Sequence, residues 1–138
     1  MAKSIRDAMT SNPREVETST SVVEAATLMK SQDVGSLPVT EDGRLVGMVT
    51  DRDIAIRVVA EGNDPQSVTV GEIASRDVVT VDPQQGLDEA LRLMAQHQVR
   101  RLPVVEEDGR LVGILAQADV AQAGDDAKTG QMVQEISD

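Results

Sequence analysis

The sequence predicts an α/β protein of the α+β type, two tandem repeats that each run strand, helix, strand, strand, helix. Three observations predict it. The string Glu41-Asp-Gly-Arg-Leu-Val-Gly47 recurs unchanged as Glu107-Asp-Gly-Arg-Leu-Val-Gly113, and such self-similarity marks a duplicated unit. One segment of each half places apolar residues at i, i+3, i+4 and i+7, the spacing of a helix with one buried face. Each half then carries an Asp-Gly dipeptide between two short apolar runs, which marks a hairpin.

The elements follow in order. In the first repeat, residues 16–18 are a short extended piece. Ser21 with Glu24 three positions on predicts a capping box, and Val22, Ala25, Ala26, Leu28 and Met29 form the buried face of the helix that follows. Val34-Gly35 reads as its end. Residues 37–40 are a strand, Asp42-Gly43 the turn and residues 45–49 the return strand. A second helix starts after Thr50, carries Ile54, Ala55, Val58 and Val59, and ends at Gly62. The second repeat has an extended piece at 78–81, a helix from Leu87 to about His97, strands at 102–105 and 111–115 about Asp108-Gly109, and a helix to about Ala123.

Leu37-Pro-Val39 matches Leu102-Pro-Val104, Leu28-Met29 matches Leu93-Met94, Glu24-Ala25 matches Glu89-Ala90, and Asp53 matches Asp119. One residue is inserted between the Leu-Pro-Val and Glu-Asp-Gly strings. The boundaries read as 1–64 for the first repeat, 65–124 for the second, with Asn63-Asp64-Pro65 as connector, and 125–138 for a polar tail carrying Met132, Val133 and Ile136. A unit of roughly sixty residues is small for a core of its own, so the repeats are expected to share apolar surface.

Composition narrows the function. The chain has 138 residues, 40% of them hydrophobic, with no Phe, Tyr or Trp. The core must therefore be aliphatic, and base-stacking platforms for single-stranded nucleic acid are excluded. Thirteen Lys and Arg against 24 Asp and Glu give a net charge of −11, which repels phosphate backbones and argues against a nucleic-acid partner. Cysteine is absent, removing disulfides, thiol catalysis and thiolate metal sites. The start shows no signal-peptide pattern and no run approaches the roughly 18 apolar residues of a membrane span, so the expectation is a soluble cytoplasmic protein with no membrane partner. His97 is the single histidine and falls near a helix end, where a partly cationic ring suits the dipole. Without a second histidine, a cysteine or a serine elbow, no catalytic residue, metal site or catalytic cofactor is expected. Met9, Met29 and Met94 fit helical patterns as core filler, and Asp125-Asp126 reads as a solvated tail.

With both copies in order, Leu-Pro-Val, Asp-Gly-Arg-Leu-Val-Gly and Gly47-Met-Val-Thr50-Asp-Arg-Asp53-Ile resemble a tandem pair of CBS domains, a Bateman module, over about residues 5 to 124. The resemblance is to the stand-alone two-repeat proteins of this family. It implies repeats packed with pseudo-two-fold symmetry and a non-catalytic regulatory or sensor module. It further implies an adenosine-containing ligand (AMP-, ADP- or ATP-like) in the cleft between repeats, and a disc-like homodimer. The alternative is a ligand-free homodimeric interaction module acting on an unidentified protein partner.

The family's nucleotide signature is a Gly, two apolar residues, Thr or Ser, two residues and an Asp, which Gly47, Thr50 and Asp53 match. A carboxylate can accept hydrogen bonds from both hydroxyls of a ribose, and a threonine at a strand-to-helix junction offers its hydroxyl and free N–H groups to an anion. The same residues also read as an ordinary helix start, with Thr at the N-cap and an acid at N3. The second copy, Gly113-Ile-Leu-Ala116-Gln-Ala-Asp119, loses the hydroxyl but keeps the acid. Capping alone explains that pairing only by a modest dipole contribution; a ribose-binding role for Asp119 would explain the retained acid, as would duplication history alone, and this half-site is expected to be the weaker one. Arg100 and Arg101 precede Leu102-Pro103, where the resemblance implies a basic residue that reaches ligand phosphates; Gly35 and Ser36 stand at the matching positions and offer one hydroxyl. The arginines read equally as surface partners for the surplus carboxylates.

Overall fold

The structure, a computed structural model, describes residues 4–123. Its elements are α1 (Ile5–Ala8), β1 (Thr10–Ser11), β2 (Val16–Glu17), α2 (Val22–Gln32), β3 (Ser36–Glu41), β4 (Arg44–Thr50), α3 (Asp51–Ile54) running into a π-helical turn (Ala55–Val59), α4 (Val70–Ile73), α5 (Leu87–His97), β5 (Arg101–Val105), β6 (Leu111–Ala116) and α6 (Gln117–Ala123). The mixed α/β class is the one the sequence predicts, and the strand-helix-strand-strand-helix order appears in full in the first repeat, while in the second the opening strand is an isolated bridge at Val81.

The described chain divides into two compact units, one of Arg14–Val78 and one of residues 4–13 together with 79–123. The division differs from the linear cut at 64 and 65, because each repeat is preceded by an arm that folds onto the other repeat's sheet. In the unit of Arg14–Val78 the strand order is β2-β3-β4. Here β2 runs parallel to β3 with Val16 opposite Val39, and β3 runs antiparallel to β4 from Ser36 opposite Thr50 to Glu41 opposite Arg44. The arm after α4 lies against β4, and Met48 and Ser75 exchange both backbone hydrogen bonds at 2.9 and 2.8 Å. Gly47 makes that approach possible: a Cβ there would stand 2.6 Å from the Ser75 carbonyl oxygen.

The other unit repeats the arrangement. Its order is β1-β6-β5, with β1 antiparallel to β6 at Ile114 and Gly113, and Val81 bridging Val104 in parallel. A Cβ on Gly113 would stand 2.5 Å from the Met9 sulfur and 3.0 Å from the Thr10 carbonyl oxygen. The arms are themselves copies. Ser4 and Asp7 form a capping box at α1, as Thr69 and Glu72 do at α4. Ile5 N–H donates to the Gln85 carbonyl at 2.8 Å and Val70 N–H to the Thr20 carbonyl at 2.8 Å. Ile5 and Val70 are both fully buried, each completing an aliphatic core around Leu102, Leu115 and Met94 in one unit and Val39, Val49 and Val22 in the other.

Several local readings are corrected. The box at Ser21 forms by half: the hydroxyl accepts from Glu24 N–H at 3.1 Å, but the entry is pinned instead by pairing with the arm, Val22 N–H to the Val68 carbonyl at 2.9 Å. Helix α2 ends not at Gly35 but at Asp33, whose φ of 55° is the left-handed cap, a conformation Asp tolerates. After α3, Ala60 N–H donates to Ala55 at 2.9 Å, an i→i+5 turn that breaks the α-helical phase. Val58 is therefore buried while Val59 is 66% exposed and Ile56 51% exposed. The extended piece at 78–81 reduces to the bridge at Val81. Met9 is extended beyond α1 rather than helical. Asp42 and Gly43 both take positive φ, whereas only Gly109 does in the second hairpin, where Gly109 N–H donates to Glu106 at 2.8 Å. That longer turn accommodates the inserted residue. The tail with Asp125, Asp126, Met132, Val133 and Ile136 lies outside the described residues.

Candidate functional site

Each hairpin ends where a helix begins, and that junction collects the predicted site residues. In the unit of Arg14–Val78, Ser36 opens β3 directly opposite Thr50, which closes β4 and caps α3. Asp51 N–H donates to the Gly35 carbonyl at 2.9 Å, tying strand start to helix start. Thr50 Oγ1 accepts from Asp53 N–H at 3.0 Å and Asp53 Oδ2 accepts from Thr50 N–H at 2.9 Å. This is the reciprocal box that satisfies two otherwise orphaned donors. Among the described residues, Oδ1 has one ion-pair partner, the Arg57 guanidinium at 3.9 Å. Asp53 thus carries one committed oxygen and one turned to a long, half-exposed cation.

In the other unit Arg101 sits opposite Ala116, and Gln117 N–H donates to the Arg100 carbonyl at 2.8 Å. Asp119 Oδ2 accepts from Ala116 N–H at 3.1 Å. The retained acid therefore has a capping role that the sequence reading discounted: an N3 carboxylate closes the N-cap N–H whether or not the N-cap residue bears a hydroxyl. Both arginines are exposed and neither enters an ion pair among the described residues, so the surplus carboxylates do not claim them there. Ser36, Thr50 and Asp53 share one junction, and Arg100, Arg101 and Asp119 share the equivalent one.

Arg57 is the residue that motif reading missed. Its Nη1 donates to the Ile73 carbonyl at 3.2 Å, so it joins the box at Asp53 to the end of α4. Its i+4 spacing from Asp53 is a helix-face pairing legible in the sequence. His97 closes α5 as expected and is exposed.

The model of the CBS domain matches residues 5–60 and 70–126. This chain belongs to the CBS domain family. As a CBS pair it is 48% identical over 118 residues to the CBS domain-containing protein YhcV of Bacillus subtilis, spanning 86% of this chain and 83% of that one. It is 43% identical to hypoxic response protein 1 of Mycobacterium tuberculosis, over 85% of this chain and 82% of that one. The crystal structure of that protein holds two coordinated zinc ions and superposes with a TM-score of 0.81, covering 89% of this chain and 100% of that one at 41% identity. CBSX2 of Arabidopsis thaliana, solved with AMP, superposes at 0.75 with 33% identity, covering 87% and 94%. Among the described residues of this CBS pair, no three His, Asp or Glu side chains gather into a group that could hold a metal ion. Nor is any described helix long and apolar enough to cross a membrane.

Proposed function

We propose that this CBS pair is a non-catalytic, cytoplasmic regulatory module that binds an adenosine-containing ligand of the AMP, ADP or ATP kind. One observation carries the reading. The box at Asp53 commits Oδ2 to the Thr50 N–H and leaves Oδ1 facing a cation at 3.9 Å, so the carboxylate keeps acceptor capacity for a ribose diol while already fixed in place. Ser36 stands opposite Thr50 on the neighbouring strand with its hydroxyl to offer. At the equivalent junction, Asp119 is the second ribose acceptor, and Arg100 and Arg101 are the phosphate donors. The AMP complex of CBSX2 supports the ligand class.

Calorimetry against AMP, ADP, ATP, S-adenosylmethionine and NAD tests it. Saturable binding of at least one is expected, with a loss of at least about tenfold in Asp53→Ala, the fold-change of one charge-assisted hydrogen bond. Silence from all five at millimolar concentration removes the reading. A ligand-free homodimer that engages a protein partner is the second reading, and the exposed Ile56 and Val59 favour it. Under that reading, partner capture is unchanged by added nucleotide.

A further inference from the structure

The duplication provides an internal comparison on α2 and α5. On α5, Arg92 Nε donates to Glu89 Oε2 at 3.0 Å and Nη1 donates to Gln96 at 3.0 Å. Sixty-five positions earlier, Glu24 stands for Glu89 and Thr27 for Arg92. Thr27 turns its hydroxyl to the Val23 carbonyl at 2.8 Å, and the Glu24 carboxylate, which makes no return bond to Ser21, has no hydrogen bond or ion pair among the described residues. Beside it lies an open groove of about 520 Å³, floored by Val16, Val23 and Leu28 and rimmed by Glu15, Glu17 and Glu24. Glu15 is anchored there by the hydroxyl of the fully buried Thr40, at 2.9 Å. The lining holds no Lys or Arg.

We propose that this groove docks an arginine-bearing amphipathic segment of a partner protein, its guanidinium taking against Glu24 the place that Arg92 takes against Glu89. The planar guanidinium fork matches a carboxylate bidentately, as an ammonium does not. The valine and leucine floor covers the aliphatic stem and an apolar neighbour. None of these residues belongs to the junctions at Thr50 or Ala116, so the groove and the nucleotide reading stand or fall separately.

The test uses the full chain and a synthetic amphipathic Leu- and Arg-bearing peptide, with citrulline replacing arginine as the uncharged control. The expected result is saturable binding by calorimetry, with 15N amide shifts gathered on Thr20, Val23, Thr27 and Leu28. The citrulline peptide and the Glu24→Gln variant should each bind at least about tenfold more weakly. Thr27→Arg supplies the guanidinium from within, copying α5; it should fold as the parent does and lose the peptide. Three results would overturn the proposal: no saturable binding, shifts spread evenly over the acidic surface, or a Thr27→Arg protein that binds as tightly as the parent.

Discussion

Ala116 donates its backbone N–H to Asp119 Oδ2 at 3.1 Å, the bond that Thr50 makes to Asp53 at 2.9 Å. The two junctions therefore differ by one missing partner: the first repeat returns a bond from Thr50 Oγ1 to the Asp53 N–H, whereas Ala116 has no hydroxyl to return. Half a capping box holds the acid in the second copy, where the first uses a full one.

Restoring the missing half should stabilise the second junction. Ala116→Thr is expected to raise the urea midpoint by an amount equivalent to about 0.5–1 kcal/mol, and Asp119→Ala to lower it by about 1 kcal/mol. An Ala116→Thr protein no more stable than the parent shows that the reciprocal bond does not form there.

The duplicated glycines should not be equally tolerant. A methyl group at Gly47 meets the Ser75 backbone oxygen at 2.6 Å, whereas at Gly113 the nearest atom is the end of the Met9 side chain. Gly47→Ala is expected to cost about 2–4 kcal/mol in chemical denaturation. Gly113→Ala should cost less, and Met9→Ala should recover part of that loss, because a thioether can move and a paired strand cannot.

The Arg92 guanidinium holds the Glu89 carboxyl below the usual carboxylate range, chiefly by the hydrogen bond it donates. A carboxyl whose folded pKa is depressed favours the folded state above its unfolded pKa, and that contribution disappears as pH falls through the folded pKa. In Arg92→Ala the Glu89 carboxyl carbon should titrate at higher pH by NMR. The small stability gap between parent and variant should be present at neutral pH and close in acid. An unmoved Glu89 midpoint contradicts the pairing.

Ile56 and Val59 expose apolar surface on the turn where Ala60 closes back on Ala55. If that surface is the contact of the proposed homodimer, Ile56→Asp with Val59→Asp should reduce the mass by light scattering to that of one chain while the far-ultraviolet dichroism is retained. A parent protein that is already monomeric at micromolar concentration sinks the dimer.

Much of each repeat was legible because its signals are local. The helix from Leu87 to about His97 was legible, since Leu87, Ala90, Leu91 and Met94 supply the buried face within one continuous segment. Asp42-Gly43 announced a tight turn because both residues had to accept positive φ. The end of α2 was misread because Asp33 took the left-handed cap that Gly35 was expected to supply. At the candidate site, the Gly47, Thr50 and Asp53 spacing was legible as a helix start, but the pairing of Ser36 with Thr50, the capping bond of Asp119 and the reach of Arg57 to Ile73 could not be read from a short string.

From the sequence alone came the duplication, the order of strands and helices within each copy and the two junctions that bear Asp53 and Asp119, since each depends on neighbours a few positions apart. Only the tertiary structure assigned residues 4–13 to the second repeat's sheet and 69–78 to the first's, and showed why Gly47 must lack a side chain. The physical reason is range: a four-residue helix such as Ile5–Ala8 or Val70–Ile73 has too little periodicity to declare itself, and it is held by backbone bonds to a strand or loop far away in the chain or on the other side of a hairpin.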